Sequence, residues 1–321
     1  MSTAIVVHEP GGPEVLVLEP VDQPLPVGTQ LLVRVAAAGV NFIDTYQRSG
    51  TYPVEYPFTP GFEAAGEVVS MGPAAVGFEP GDRVAFAEGA AAYAEYTLID
   101  AAKALPVPDD VDLQVAAALP LQGMTAHYLI NSTFRVEPGQ TVLTHAGAGG
   151  VGLLLTQLLK AKRARVITTV STAAKEALAR AAGADEVLRY EGFADAVRDL
   201  TDGEGVHVVY DGVGLSTFDD SLASLRTRGT MVLFGAASGA VPEFDLQRLN
   251  QGGSLYVTRP SIGHYLLSAD ERRWRSEELF QSVLDGSLEV RIGATYPLAE
   301  AARAHQDLQA RKTTGKVLLL P

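Results

Sequence analysis

The chain has no cysteine among its 321 residues, one tryptophan and four methionines. Without thiols there is no disulfide frame, no thiolate nucleophile and no thiolate-held metal, a composition expected of a cytoplasmic protein. Cations are scarce too: 25 Lys and Arg against 38 Asp and Glu leave a formal charge of −13 at pH 7. With no basic run to offset phosphate charge, neither nucleic acid nor an acidic membrane surface is an expected partner. No stretch approaches the ~20 apolar residues of a membrane span. Residues 1–10 lack the basic start and apolar core of an export signal. Internal repeats and low-complexity tracts are missing as well.

Several catalytic signatures are also lacking. There is no Gly-x-Ser-x-Gly elbow, and no tyrosine is followed four residues later by lysine. The six histidines, at 8, 127, 145, 207, 264 and 305, show no His-Glu-x-x-His or paired spacing. They read as structural, except His145, which ends a strand beside a glycine turn.

What is present centres on residues 141–160. Val142 to Thr144 reads as a buried strand, glycines at 147, 149, 150 and 152 as a turn, and Leu153 to Lys160 as a helix. In Gly147-x-Gly149-x-x-Gly152, one glycine permits a tight turn, one lets a pyrophosphate approach the backbone, and one lets helix and strand pack closely. The anion then meets free N–H groups at the helix N-terminus. Downstream, strands at Arg165–Val170, Glu186–Tyr190, Val206–Tyr210 and Thr230–Phe234 alternate with helices at Ala173–Ala182, Phe193–Leu200 and Leu215–Leu225. That alternation predicts a doubly wound parallel sheet covered on both faces, and a dinucleotide as ligand.

The second strand ends in Ser171-Thr172-Ala173-Ala174-Lys175, with no carboxylate until Glu176. NAD-preferring folds place an acidic residue near here to hold the ribose hydroxyls. Hydroxyls and a cation in its place favour NADPH.

Before the glycine motif, short strands at Ala4–Val7, Val15–Glu19, Leu31–Ala38, Gly66–Met71, Asp82–Ala87 and Tyr93–Ile99 are punctuated by Gly and Pro. Such spacing predicts a barrel-like β domain. Asn41 is placed to cap a short helix presenting Asp44, Tyr46 and Arg48 near its surface. The alanine-rich stretch Ala87–Ala94 reads as a surface connection. Beyond Pro260, helices are expected at Glu271–Leu284 and Ala299–Gln309, and strands at Leu288–Ile292 and Lys316–Leu320.

Seven segments together resemble the medium-chain dehydrogenase/reductase superfamily, and within it the quinone oxidoreductase (zeta-crystallin-like) family. They are Ala37-Ala-Gly-Val-Asn-Phe-Ile-Asp-Thr-Tyr46, Pro60-Gly-Phe-Glu-Ala-Ala-Gly66, Glu79-Pro-Gly-Asp-Arg-Val84, Pro120-Leu-Gln-Gly-Met-Thr-Ala126, His145-Ala-Gly-Ala-Gly-Gly-Val-Gly152, Val209-Tyr-Asp-Gly-Val-Gly214 and Gly253-Ser-Leu-Tyr-Val-Thr-Arg-Pro260. Zinc members place a Cys before the first helix and Gly-His-Glu in the second segment. Here those read Gly39-Val-Asn41 and Gly61-Phe-Glu63, so the resemblance implies the zinc-free branch, with no metal ligand set.

The resemblance implies a GroES-like catalytic domain over 1–123, a Rossmann NADPH-binding domain over 124–260, and a return of 261–321 to the first domain. It also implies that Asn41 and Tyr46 face nicotinamide and substrate, with Phe42, Asp44 and Thr125 nearby. Gly149, Gly150 and Val151 would cover the pyrophosphate; Ser171, Thr172, Lys175 and Tyr190 would hold the 2′-phosphate and adenosine. Phe234, Gly235 and Ser238 would serve the carboxamide through backbone groups, since Ala236 and Ala237 replace donors common in relatives, and Lys316 would close near the cofactor. Asp211 reads as a turn organiser. The implied activity is hydride transfer from NADPH to a quinone in a cleft between the domains. Reduction of an enone or enoyl-thioester is the alternative, and a non-enzymatic cofactor- or RNA-binding role is a contrasting one. A homodimer through the edge strand at 255–257 is the implied assembly.

Overall fold

The computed structural model describes residues 2–321, and these divide into two compact units. One comprises the residues up to Met124 with Leu266–Pro321; the other is Thr125–Tyr265.

The first unit is built on the eleven-residue strand Gln30–Val40. Glu63–Met71 pairs antiparallel along it on one side. On the other side Tyr96–Asp100 covers its first half and Lys316–Leu320 its last residues. Arg83–Phe86 and Ile292–Pro297 extend the sheet. Alternating apolar residues such as Leu31, Val33, Val68, Val84 and Leu319 pack inward with Tyr93 and Phe86 as one buried core. Sealing these side chains from water stabilises the unit at about 25 cal/mol per Å² of apolar surface.

Register then sets the chemistry at one end of the sheet. Glu63 lies opposite Gly39, and Val317 opposite Val40, so Lys316 falls beside Asn41, the next residue after the long strand.

The second unit is a six-stranded parallel sheet. Numbered along the chain, its strands are Thr141–Thr144, Arg165–Thr169, Glu186–Leu188, Val206–Asp211, Leu225–Leu233 and Tyr256–Thr258, and in space they run 3-2-1-4-5-6. Strand order reverses between the first and fourth, where such sheets bind ligands outside the carboxyl ends of their strands. Buried Val, Ile and Leu runs fit a sheet covered on both faces.

The structure corrects several expectations. Helix Leu215–Leu225 is only Phe218–Ala223, because the Asp211 carboxylate and the Leu215 N–H to Gly239 O bond hold 213–217 as a turn. The strand expected at Leu288–Ile292 is Ile292–Pro297; Leu288 instead donates its N–H to Ser282 O and closes helix Ala269–Leu284. The stretch Ala87–Ala94 is not a mere surface connection, since Ala92 and Tyr93 are fully buried.

Candidate cofactor and acceptor site

In the second unit, strand Thr141–Thr144 ends at His145 and helix Gly150–Ala161 begins after the N-cap Gly149. The glycines here supply room rather than unusual dihedrals: the left-handed residue of the turn is Ala146, at φ 55°. A Cβ at Gly152 would overlap the Ala146 carbonyl oxygen and stand 2.9 Å from Gly147 Cα, both backbone atoms. One at Gly147 would strike the Thr168 side chain on the neighbouring strand, within 2.7 Å of its methyl carbon. Helix and turn therefore touch backbone to backbone, and the Thr168 side chain of the strand fills the space beside Gly147. The first N–H groups of the helix, including those of Gly150 and Val151, have no acceptor within it and can receive an anion.

Next to this turn, strand Arg165–Thr169 leads through Val170 to exposed Ser171 and Thr172. Thr172 caps helix Ala173–Ala181 by accepting from the Lys175 N–H at 3.2 Å. Thr169 pairs with Leu188, and Tyr190, two residues beyond, lies near the His145 ring with centroids 6.2 Å apart. The structure thus brings Ser171, Thr172, Lys175 and Tyr190 to one edge of the sheet's carboxyl end. Glu176, the first carboxylate after the strand, is turned to Arg180 and Arg189. This donor set fits a ribose phosphate better than a free ribose diol.

On the fourth strand, buried Asp211 accepts from the N–H groups of Val213 and Gly214 at 2.7 and 2.9 Å, and from the hydroxyls of Thr217 and Ser221. It organises the turn, as expected. The segment after the fifth strand folds back onto that turn, with Ala237 and Ser238 donating their N–H groups to Gly212 and Val213 carbonyls. Ser238 Oγ also donates to Val213 O at 2.8 Å, and Gly235 approaches Gly212 too closely for any side chain. Phe234 and Gly235 sit half-buried at the strand's carboxyl end, and Thr125 is half-buried on helix Pro120–Tyr128.

His145 does not keep the exceptional status its position suggested. Its ring is enclosed, bonded to Thr169 Oγ1 and Ser221 Oγ at 2.8 Å each and set edge-on to Phe193. Burial lowers its pKa, the Asp211 carboxylate opposing the shift. It is a structural histidine.

The first unit contributes a buried polar cluster. Lys316 is 1% exposed; its ammonium donates to Asn41 Oδ1 at 2.7 Å and is ion-paired with Glu63. Asn41 Nδ2 donates to Glu63 Oε2 at 2.9 Å, and Glu63 Oε1 accepts the Leu121 N–H at 2.7 Å. Gly39 makes the space: a Cβ there would lie 2.8 Å from Lys316 Nζ. So the Lys316 amine, expected to reach a cofactor, is committed to the side chain that precedes helix Phe42–Arg48.

Asp44 and Arg48 are not presented at the helix surface but buried at 0% and 2% exposure. Asp44 Oδ2 accepts the Asn41 N–H at 2.8 Å and the Tyr93 hydroxyl at 3.0 Å. Tyr93 OH meets His305 Nε2 at 3.1 Å, and Arg48 donates to His305 Nδ1 at 3.1 Å. Burial pushes the Asp44 carboxyl up to about 7 against the pull of the Asn41 and Tyr93 donors and Lys316. Burial, then Arg48, brings His305 down to about 3. Phe42 and Tyr46 take the helix's more open face, where Tyr46 packs against Tyr52 with centroids 5.3 Å apart. Sequence reading missed Glu63, Tyr93 and His305 as members of this cluster; their separation along the chain conceals them.

Two family models match the chain. The alcohol dehydrogenase GroES-like domain covers residues 28–109, and the zinc-binding dehydrogenase model covers 150–275. The Escherichia coli quinone oxidoreductase complexed with NADPH is 43% identical, covers 99% of this chain and 100% of that one, and superposes with a TM-score of 0.98. This chain belongs to the quinone oxidoreductase family. Within that zinc-free family, mycobacterial Rv1454c complexed with NADPH is 53% identical over 100% of both chains, again at TM-score 0.98. A 2-haloacrylate reductase from Burkholderia is 41% identical over 100% of this chain and 99% of its own. Among the described residues of this family member, no three His, Cys, Asp or Glu side chains are grouped to hold a metal ion.

Proposed function

We propose that this protein is an NADPH-dependent quinone reductase. The observation that supports it most is the full-length likeness to a quinone oxidoreductase solved with NADPH, joined to a glycine turn with no room for side chains at Gly147 and Gly152. Bound NADPH supplies a hydride, that is one proton with two electrons, which with one further proton from solvent converts quinone to hydroquinone.

The chain's own residues hold and orient. The N–H groups around Gly149, Gly150 and Val151 receive the pyrophosphate. Ser171, Thr172, Lys175 and Tyr190 receive the 2′-phosphate and adenosine, and backbone groups of Phe234, Gly235 and Ser238 receive the carboxamide. Thr125, Phe42, Asn41 and Tyr46 serve the nicotinamide and the acceptor carbonyl. Asp44 contributes through the Asn41 backbone, and Lys316 by fixing the Asn41 side chain. A quinone needs no strong Lewis acid, because its reduced anion is already delocalised.

A second reading, reduction of an activated double bond, is favoured by the likeness to a 2-haloacrylate reductase. We also propose a homodimer through Tyr256–Thr258, an edge strand with Tyr256 61% exposed and one side of its ladder unpaired in this chain. Stopped-flow oxidation of NADPH and NADH by metal-stripped protein, against ortho-quinones, para-quinones and simple enones, tests the activity. NADPH with quinone turnover is expected. Turnover of enones alone selects the second reading, and failure to bind either cofactor overturns both.

A further inference from the structure

Arg48, His305, Tyr93 and Asp44 form a hydrogen-bond chain whose direction is fixed from one end. A guanidinium only donates, so His305 Nδ1 must accept from Arg48 and the neutral ring keeps its proton on Nε2. That N–H then donates to the Tyr93 oxygen, leaving the Tyr93 hydroxyl to donate to Asp44 Oδ2. Oδ2 also accepts the Asn41 N–H, so both incoming donors fall on one oxygen. The other, Oδ1, is buried with no partner. A carboxyl with one doubly engaged oxygen and one bare oxygen has a single place to take a proton.

We propose that Asp44 is a positioning residue for the acceptor site: its Oδ2 fixes the first turn of the helix bearing Asn41 and Tyr46, and its Oδ1 gains and loses a proton that loosens or tightens that turn. The inference rests on the quinone reductase reading. The ionised carboxylate holds the Asn41 N–H and Tyr93 O–H by charge-assisted bonds, roughly twice as strong as the neutral ones left after protonation. The groups facing Asp44 act in opposite directions: Lys316 favours the charged form, while Glu63 disfavours it. Arg48 and His305 are linked to it by hydrogen bonds through Tyr93. Their balance with burial puts the protonation midpoint at about 7.

The test uses Asp44→Asn and Tyr93→Phe in the full chain, with two readouts. By infrared difference spectroscopy, wild type should gain a protonated-carboxyl band as pH falls through about 7. Asp44→Asn should lack the band. Tyr93→Phe, deprived of one donor to the carboxylate, should shift its midpoint to higher pH. In steady-state kinetics, wild-type kcat/KM for a quinone should rise by about tenfold from pH 6 to 8, as the ionised fraction climbs from roughly a tenth to nine-tenths. That change should fall on the quinone KM, and Asp44→Asn should be flat. An unchanged band and inflection in Asp44→Asn overturns the proposal, as does a titrating band in wild type whose quinone KM ignores pH. Should Asp44→Asn fail to fold, a Tyr93→Phe midpoint equal to that of wild type overturns it. A band that titrates in a protein without quinone turnover overturns the reductase reading instead.

Discussion

Asp44 and His305 are two buried groups on one hydrogen-bond chain whose titrations push folding stability in opposite directions. Asp44 has its folded pKa raised from 3.8 to about 7, so its contribution to stability is fully present below 3.8 and lost as pH rises through about 7. His305 is brought down from 6.5 to about 3, so its contribution is present above 6.5 and lost as pH falls through about 3. Between about pH 4 and 6.5 the folded state holds one proton on Asp44 that the unfolded chain has released. In the same window the unfolded chain holds one on His305 that the folded state excludes. Each gives a slope of about 1.4 kcal/mol per pH unit, with opposite signs. They cancel in wild type. Removing one should expose the other: Asp44→Asn should gain stability with rising pH across this window relative to wild type, and His305→Gln should lose it at the same rate. Urea unfolding at half-unit pH steps, comparing variants so that common carboxylate titrations subtract, measures both slopes. Parallel curves for all three proteins would refute the assignment of these two buried protonation states.

Four further outcomes follow from the nucleotide-binding unit. Gly152→Ala should lower stability by about 1–3 kcal/mol, because its methyl meets backbone atoms that no rotamer change can clear. Gly149→Ala meets only the Ala146 carbonyl, at 3.2 Å, and should melt near wild type while losing NADPH affinity in a fluorescence titration. Ser171→Asp should weaken NADPH by about tenfold or more while sparing NADH, since about 1.4 kcal/mol of like-charge repulsion at the 2′-phosphate suffices; equal losses for both cofactors would move the phosphate elsewhere. Asp211→Asn should cost about 2–4 kcal/mol in urea unfolding, because an amide nitrogen cannot accept the two hydrogen bonds that one of the carboxylate oxygens now takes.

Local patterns were legible in the sequence wherever the physics is local. The alternation of apolar strands and helices after residue 141 named the parallel sheet, and the short punctuated strands before it named the β unit. Lys316–Leu320 was read to the residue. The helix at Leu215–Leu225 failed because its first turn is held by Asp211, four residues before the segment begins, a tertiary constraint that propensity does not register. Asp44 and Arg48 failed for a related reason. Charged residues are seldom fully buried without partners, and their partners Tyr93 and His305 stand 49 and 257 positions away. The turn glycines were located correctly, but their service is space, and the residue with the left-handed backbone is an alanine.

Glu63 shows how a buried charge is accommodated where sequence motifs alone would not reveal its partners. In zinc members of the wider superfamily, the segments now reading Gly39-Val-Asn41 and Gly61-Phe-Glu63 supply metal ligands; here Asn41 and Phe62 cannot. Strand pairing sets Glu63 opposite Gly39 and Lys316 beside Asn41, so a carboxylate and an ammonium are buried together. Burying the pair without mutual contact would cost several kcal/mol per ion. It is tolerated because each oxygen of Glu63 is satisfied, one by the Leu121 N–H and one shared by Asn41 and Lys316. The consequence for chemistry is a rigid Asn41: its amide oxygen faces a cation and its amide nitrogen an anion, which fixes the side chain's flip and the direction of every hydrogen bond it makes. Its second Nδ2 hydrogen goes to the Gly39 carbonyl at 3.3 Å, so both amide donors are engaged inside the cluster and the side chain is held in one orientation by partners on three segments of the chain.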